Sequence, residues 1–267
     1  MCIRDRYKYM KIITSKDNKI YKQCQALTSK KHRDKMGLYI VEGEKLVKEA
    51  YDAGMIELII YDADYSKGIH YQGVDIVFMM GKLFEKLAQT ETSQGVLAIV
   101  KKKIYTKEEF SQIINEGTGN VVVLDRLQDP GNIGTIIRTA DAASYSGMVC
   151  LKGTGDVYSP KVVRAAAGSV LRLPIYFVKD EEEAVDFLKE NSKMIVGTAF
   201  NTDKYYYDVD LTENVGLVIG NEGNGMSEKF IQDADVNVKI PMRQPVDSLN
   251  AAVAAGILMY QSKGKVK

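Results

Sequence analysis

Three stretches of the chain concentrate side chains able to hold or polarise a ligand. The first is Asp129-Pro-Gly-Asn-Ile-Gly134, which opens a helix carrying Arg138. Asn132 is a good N-cap for it, because its side-chain oxygen can accept an orphan N–H of the first turn. Ile133, Ile136, Ile137 and Ala140 recur at helical spacing and form the core face. Arg138 follows Gly134 by one turn, and long helical side chains lean toward the N-terminus. Its guanidinium then reaches over the glycine toward the helix start, which makes an anion site. The competing arrangement is a surface pair of Arg138 with Asp141, worth under about 1 kcal/mol; the glycine beneath the arginine favours the anion. The second stretch, Gly220-Asn-Glu-Gly-Asn-Gly225, lies between a predicted strand and a predicted helix. It fails the GxGxxG template, which needs glycine where Glu228 stands, and it holds no GxxxxGK. Glu222 at its centre repels a pyrophosphate. The loop is either a plain glycine-rich turn or a cradle for a ligand with hydroxyls or positive charge. The third stretch is Ile240-Pro-Met-Arg-Gln-Pro-Val-Asp-Ser-Leu-Asn250, which runs into the apolar Ala251–Met259. Asp247 or Ser248 is the expected N-cap. The helix is apolar nearly all round, so burial on more than one side is expected. Ser and Asn beneath a proline-stiffened loop make a place for a small ligand.

Other features are more ambiguous. Lys161 and Arg164, three apart in a predicted helix at 160–167, can grip phosphate or be solvated surface charges. Tyr205-Tyr-Tyr207 offers stacking surface for bases or strand-edge packing. Between Lys8 and Lys35 many lysines and Arg33 face only two aspartates, a cluster that can bind a polyanion or coat a helix. His32 and His70 sit in polar loops and complete no triad or metal set.

The elements that must position these groups follow from the pattern of apolar residues. The chain has 267 residues, enough for two modest domains of roughly 150 residues each. Its composition, 45% hydrophobic and 27% charged with a net charge of +1, is that of a globular protein without a global basic footprint. No apolar run of about 20 residues suggests a membrane span, and no secretory leader is visible, so a cytoplasmic protein is expected. Three cysteines without metal-like spacing read as reduced thiols.

Residues 1–9 lack periodicity and read as a start-site artefact. Residues 10–37 read as one basic helical arm capped by Ser15 and closed by Gly37. Residues 38–101 alternate strands and helices and form a small α/β domain. Residues 102–118 read as a polar linker with one short helix around 108–114 and a hinge at Gly117-Thr-Gly119. From 119 to 267 a second α/β unit begins with Val121–Leu124, a strand of the kind buried in a parallel sheet. Repeated strand–helix alternation predicts a doubly wound sheet with ligand loops at 125–131, 198–203, 220–226 and 241–248, outside the carboxyl ends of the strands.

Taken together, Asp129–Arg138, Gly220–Ser227 and Ile240-Pro-Met with Ser248-Leu-Asn250 resemble the three signature motifs of the SpoU family, RNA ribose 2′-O-methyltransferases of the SPOUT superfamily. Tyr158-Ser-Pro-Lys-Val-Val-Arg-Ala resembles a further stretch of that family. Leu38–Gly43 and Thr90–Gly95 are similar to its RNA-substrate-binding module, although Ser93 stands where a proline is usual. The resemblance implies a trefoil-knotted α/β domain behind a smaller N-terminal α/β substrate-binding domain; such a knot is an exception to the rule that chains do not thread loops. It implies S-adenosyl-L-methionine as cofactor, held largely by backbone at Thr198, Gly220, Ile240, Met242 and Leu249. It also implies a homodimer packed partly through the final helix.

The reaction implied is in-line methyl transfer to a ribose 2′-hydroxyl. The family's catalytic group maps to Arg138, which stays protonated and is therefore expected to orient the target phosphate and stabilise the alkoxide. Asn132, Glu222, Ser248 and Asn250 form the expected hydrogen-bonding shell. Lys30, Lys31, Arg33, Lys161 and Arg164 are the expected RNA contacts. Ribosomal RNA is favoured over transfer RNA, because a separate domain and a basic arm suit a large structured RNA. A non-catalytic RNA-binding or ribosome-assembly protein of the same fold is the competing reading, and the joint presence of Asn132, Arg138, Glu222 and Asn250 argues against it. The failed glycine template weakens a nicotinamide-dependent enzyme.

Overall fold

A computed structural model describes residues 12–65, 71–88, 90, 92–199, 201–245 and 248–261. It divides into two compact units: the chain up to Lys102 together with Tyr158–Arg164, and Lys103–Val157 together with the chain from Ala165 onward. His70 and Asp247 lie outside the described residues, as do residues 1–9.

The N-terminal unit runs β1 (Ile12–Ile13), α1 (Lys19–Ala26), α2 (Lys30–Met36), β2 (Leu38–Glu42), α3 (Glu44–Asp52), β3 (Ile56–Asp62), β4 (Ile76–Met79), α4 (Gly81–Phe84) and β5 (Val96–Lys101). These strands form one mixed sheet in the order β1-β4-β3-β5-β2, parallel on the β1 side and antiparallel around β5. The expected basic arm is not an arm. Ile13, Tyr21, Cys24 and Leu27 are buried in one cluster with Ile40, Leu58, Ile60, Leu97 and Ile99, so the apolar face of α1 covers the sheet and β1 extends it. Nor is the segment one helix. Asn18, not Ser15, caps α1 by accepting the Ile20 N–H at 2.8 Å. Thr28 and Ser29 interrupt the run before α2, which Gly37 closes with a φ of 65°. His32 therefore lies on a helix rather than in a loop.

In the C-terminal unit the expected linker is folded. α5 (Lys107–Ile114) starts with a capping box in which Thr106 and Glu109 satisfy each other's backbone N–H. Phe110 and Ile114 are fully buried in the main core cluster with Val121, Val123 and Val149. Gly117–Gly119 is no hinge either, because Thr118 accepts the Asn214 N–H at 2.9 Å. Buried Asn120 donates to the carbonyls of Leu211 and Thr212 and accepts the Val215 N–H.

There follow β6 (Val121–Leu124), α6 (Pro130–Ala142), β7 (Gly147–Leu151), α7 (Pro160–Ala165), α8 (Ser169–Arg172), β8 (Ile175–Val178), α9 (Glu181–Glu190), β9 (Met194–Thr198), β10 (Val215–Ile219), α10 (Glu228–Asp233), β11 (Val236–Val238) and α11 (Ala251–Gln261). Gly168, at a φ of 93°, divides the predicted 160–167 helix region from α8. All six strands are parallel, in the order β11-β9-β10-β6-β7-β8. The chain builds outward from β6 through β7 to β8, then returns to lay β10 against the other edge of β6. That reversal leaves a crevice at the carboxyl ends of β6 and β10, where a doubly wound sheet receives its ligand. α11 packs against α6. It buries Ala252, Ala255, Leu258 and Met259 but exposes Val253 and Tyr260 at 53% and 49%. Within the described chain the helix is therefore covered on one side only.

Candidate functional site

The site is built where the loops after β6 and β10 meet the first turn of α11. After Leu124 the chain turns through Arg126, at a φ of 57°, into Asp129-Pro130. Asp129 is the true N-cap of α6: its carboxylate accepts the Asn132 N–H at 2.8 Å, and Pro130 occupies the first helical position. The expectation that Asn132 caps the helix is thereby corrected. Pro130 lacks the N–H that would be orphaned there, which moves the cap to the residue before it. Asn132 consequently keeps its side chain for other partners.

Glu222 supplies one of them. The 220–225 loop doubles back so that Asn221 and Gly225 exchange backbone hydrogen bonds at 2.9 Å each. Only glycine fits at 220, since a Cβ there would lie 2.3 Å from the Gly225 carbonyl carbon and the Met226 nitrogen. The folded loop presents the Glu222 carboxylate to the start of α6. It accepts the N–H of Gln128 at 3.0 Å, the N–H of Asp129 at 2.8 Å and the Asn132 amide at 3.2 Å. Burial pushes the carboxyl pKa upward, but the Asp129, Gln128 and Asn132 donors outweigh it and hold the group below the usual carboxylate range. An ionised carboxylate against a helix start is also the favourable polarity for the helix dipole.

Asn250 completes the set. Its amide donates to the Asn132 side-chain oxygen at 2.8 Å, while its own oxygen accepts the N–H groups of Ala252 and Val253 at 2.9 and 3.2 Å. Asn250 is thus the cap of α11, in place of the expected Asp247 or Ser248. Glu222, Asn132 and Asn250 form a continuous chain of hydrogen bonds through all three motifs. Ser248 is exposed beside it and makes no hydrogen bond with the described residues.

Arg138 lies on α6, four residues past buried Gly134, and is exposed without a partner among the described residues. The alternative pairing with Asp141 does not form, because Asp141 is held by the Arg172 guanidinium at 3.0 and 2.7 Å. An arginine with no partner among the described residues, on the helix that carries Asn132, is available to an external anion.

The residues expected around a cofactor come from three adjoining strand ends. Thr198 closes β9; its hydroxyl donates to the Val218 carbonyl and its N–H to the Met226 sulfur at 3.2 Å. Gly220 follows β10. Ile240 and Met242 follow β11, half-buried, with no hydrogen bond from their main-chain groups to the described residues. Leu249 is 37% exposed just before α11. Main-chain donors and acceptors with no partner among the described residues, and a glycine that admits no side chain, suit a ligand gripped by backbone.

The expected RNA contacts divide. Lys30 and Lys31 are exposed on α2. Arg33 is not a surface cation: it is 4% exposed and donates to the Leu27 carbonyl at 2.6 Å, tying α2 to the end of α1. Lys161 and Arg164 are exposed on α7 and belong with the N-terminal unit. Tyr158 lies against Tyr39 with ring centroids 4.9 Å apart, and Lys102 sits 4.7 Å over the Tyr158 ring. Tyr205 and Tyr207 stack on each other at 5.3 Å, and Tyr207 is half exposed. Sequence reasoning missed Asp129 and Met226. The Asp-Pro pair was a legible cap signal; the contact of Met226 with Thr198 was not.

Known proteins resemble this chain in sequence and in fold. Residues 119–260 match the SpoU rRNA Methylase family, and residues 18–98 match the MRM3-like substrate binding domain. The chain is 33% identical over 260 residues to the 23S rRNA (guanosine(2553)-2′-O)-methyltransferase RlmP of Bacillus subtilis, covering 96% of this chain and 100% of the relative. It is similar in structure to an AdoMet-bound rRNA methyltransferase from Sinorhizobium meliloti, with a TM-score of 0.85 and 31% identity over 97% of this chain and 99% of the other. It is also similar to the SpoU methyltransferase AviRb from Streptomyces viridochromogenes in complex with AdoMet, with a TM-score of 0.82 and 30% identity over 92% and 97% of the two chains.

Proposed function

Because the chain belongs to the SpoU rRNA methylase family, we propose that it methylates a ribose 2′-hydroxyl of structured RNA, ribosomal RNA before transfer RNA, using S-adenosyl-L-methionine. The observation that carries this reading is the hydrogen-bonded chain Glu222–Asn132–Asn250 at the crevice between β6 and β10, with Arg138, which has no partner among the described residues, on the same helix as Asn132. The residues present fit the cofactor. The main-chain groups of half-buried Ile240 and Met242 have no hydrogen-bond partner among the described residues, and the backbone at Gly220 leaves no room for a side chain. Thr198, Gly220, Ile240, Met242 and Leu249 would hold it, and when bound it supplies an electrophilic methyl group on a sulfonium.

The chain's own residues then have separable roles. A ribose hydroxyl is a poor nucleophile until its proton leaves or its developing charge is stabilised. A guanidinium is a cation and no proton acceptor, so Arg138 orients the adjacent phosphate and stabilises the alkoxide, and the hydroxyl proton passes to water or another group. Glu222 already accepts three hydrogen bonds, which suits it to fixing the loops rather than to taking the proton. Asn132 and Asn250 lock each other and hold α6 and α11 in register. Ser248, exposed and uncommitted, is free to meet the RNA. Positioning of the reactants by these rigid elements supplies a large share of the acceleration.

Lys30, Lys31, Lys161 and Arg164 are assigned to the RNA backbone. A homodimer belongs to the same reading, with Val253 and Tyr260 of α11 covered by a second copy, as do the trefoil knot and a cytoplasmic location. The test is methyl transfer from labelled cofactor to ribosomal and transfer RNA from cells lacking the gene, beside calorimetry with the cofactor alone. Incorporation at a ribose of ribosomal RNA is expected. Cofactor binding without transfer to either RNA would overturn the reading, and absence of cofactor binding would favour a pure RNA-binding protein.

A further inference from the structure

The C-terminal unit also carries a cleft of about 370 Å³ that the clamp does not use, lined by Arg126, Gln128, Gly153, Asn224, Met226 and Ser227 among others. It opens among the loops that follow β6, β7 and β10, and its size is that of an ordinary small-ligand site.

Its polar groups are set out for a ligand that is neutral and rich in donors. The Gln128 amide nitrogen donates to the carbonyls of Arg126 and Gly153, which fixes the side chain and leaves its oxygen without a partner among the described residues. The Asn224 side chain makes no hydrogen bond with the described residues. The Ser227 hydroxyl is buried without a partner. Behind it Asp125, 1% exposed, accepts the Ser227 N–H on one oxygen at 2.6 Å. Its other oxygen faces Arg126 at 3.0 Å without an aligned hydrogen bond. Buried polar groups left unsatisfied in this way are costly, and they gain when a ligand satisfies them.

The charge balance argues against a phosphate. Among the described residues of the lining Arg126 is the one cation, and Asp125 and Glu181 already flank it at 3.0 and 2.6 Å. Glu222 adds a third carboxylate through the Gln128 N–H. Met226 supplies a polarisable apolar wall suited to the face of a ring. Its sulfur also accepts the Thr198 N–H, so that wall is shared with a loop assigned to the cofactor.

We propose that this cleft receives a nucleobase of the substrate RNA, presenting an edge that donates hydrogen bonds, guanine above all. Gln128, Asn224 and Ser227 read the edge, in the manner by which splayed-out bases are recognised. The proposal rests on the reading of the chain as an RNA methyltransferase.

Two measurements on the full chain test it. In the first, Asn224→Ala and Ser227→Ala are assayed on ribosomal RNA from cells lacking the gene. Loss of one base contact should raise KM for RNA about tenfold, with kcat and the cofactor Kd within about twofold of the parent. In the second, ribosomal RNA transcripts carrying 6-thioguanosine or 4-thiouridine are photo-crosslinked and the attached peptides mapped. The thioguanosine transcript should mark residues 126–128, 153 or 221–227. An unchanged KM in both variants, or crosslinks confined to other segments, would overturn the proposal; thiouridine crosslinks alone would replace guanine by a pyrimidine and overturn the base assignment. A parent chain that methylates no RNA removes the underlying reading instead, and the crosslink map alone then decides the cleft.

Discussion

Asn250 and Asn132, 118 residues apart, meet through one hydrogen bond of 2.8 Å. The same Asn250 side chain caps α11 through its oxygen. One residue therefore both starts the last helix and joins it to the helix that carries Arg138.

The two jobs of Asn250 can be separated. Asn250→Ala should lose the cap, about 1 kcal/mol, lowering Tm by roughly 2–4 °C for a chain of this size, and should also lose activity. Asn250→Asp keeps the capping oxygen but removes the donor to Asn132. It should retain Tm while losing at least about tenfold in kcat. Thermal melts and single-turnover assays on both variants check this; full activity of Asn250→Asp would remove the Asn132 contact from the mechanism.

Arg138 makes no hydrogen bond or ion pair with the described residues, so Arg138→Ala should leave Tm and cofactor affinity nearly unchanged while abolishing turnover. Arg138→Lys should recover little, because a point charge does not reproduce the planar fork. Near-normal turnover by either variant would sink the assignment.

Glu222 makes the clamp sensitive to acid. Its folded pKa lies below the ordinary 4.5, so it contributes stability that is present above that value and lost as pH falls through the folded pKa. The parent should hold a flat Tm at mildly acid pH and lose stability only as the pH drops below about 4.5. Glu222→Gln places an amide nitrogen against backbone donors. It should lower Tm at neutral pH and flatten the acid limb, and melts from about pH 6 to about pH 3 would show both. An unaltered acid limb would mean that other carboxylates carry it.

Gly220→Ala should disrupt the loop, because its Cβ would lie 2.3 Å from backbone atoms that cannot swing away. Calorimetry should show cofactor binding weakened at least about tenfold while far-UV circular dichroism stays native. Parent-like affinity would take Gly220 out of the cofactor site.

Cys24 and Cys150 are fully buried, and burial pushes both thiols up to about 12. A thiol reagent at neutral pH should label neither in the native protein and both in denaturant, with mass mapping as the readout. Native labelling of Cys150 would mean that the strand β7 opens readily.

By itself the sequence determined the α/β alternation and the glycine- and proline-rich loops between its strands. Apolar runs such as Val121–Leu124 and glycine-rich turns such as 220–225 are local signals, and their meaning survives without knowledge of the partner. The buried face of α1 was visible as well, in the spacing of Cys24 and Leu27, yet the surrounding lysines disguised it as an arm. What only the tertiary structure decided was pairing. Whether Arg138 or Arg172 takes Asp141, whether Arg33 faces solvent or Leu27, and whether Asn132 caps its helix or bridges Glu222 to Asn250 depend on contacts between residues 6, 31, 90 and 118 apart. Such contacts are set by strand order. Because β10 inserts beside β6, the Glu222 loop falls on the start of α6, and local periodicity holds no information about that neighbour.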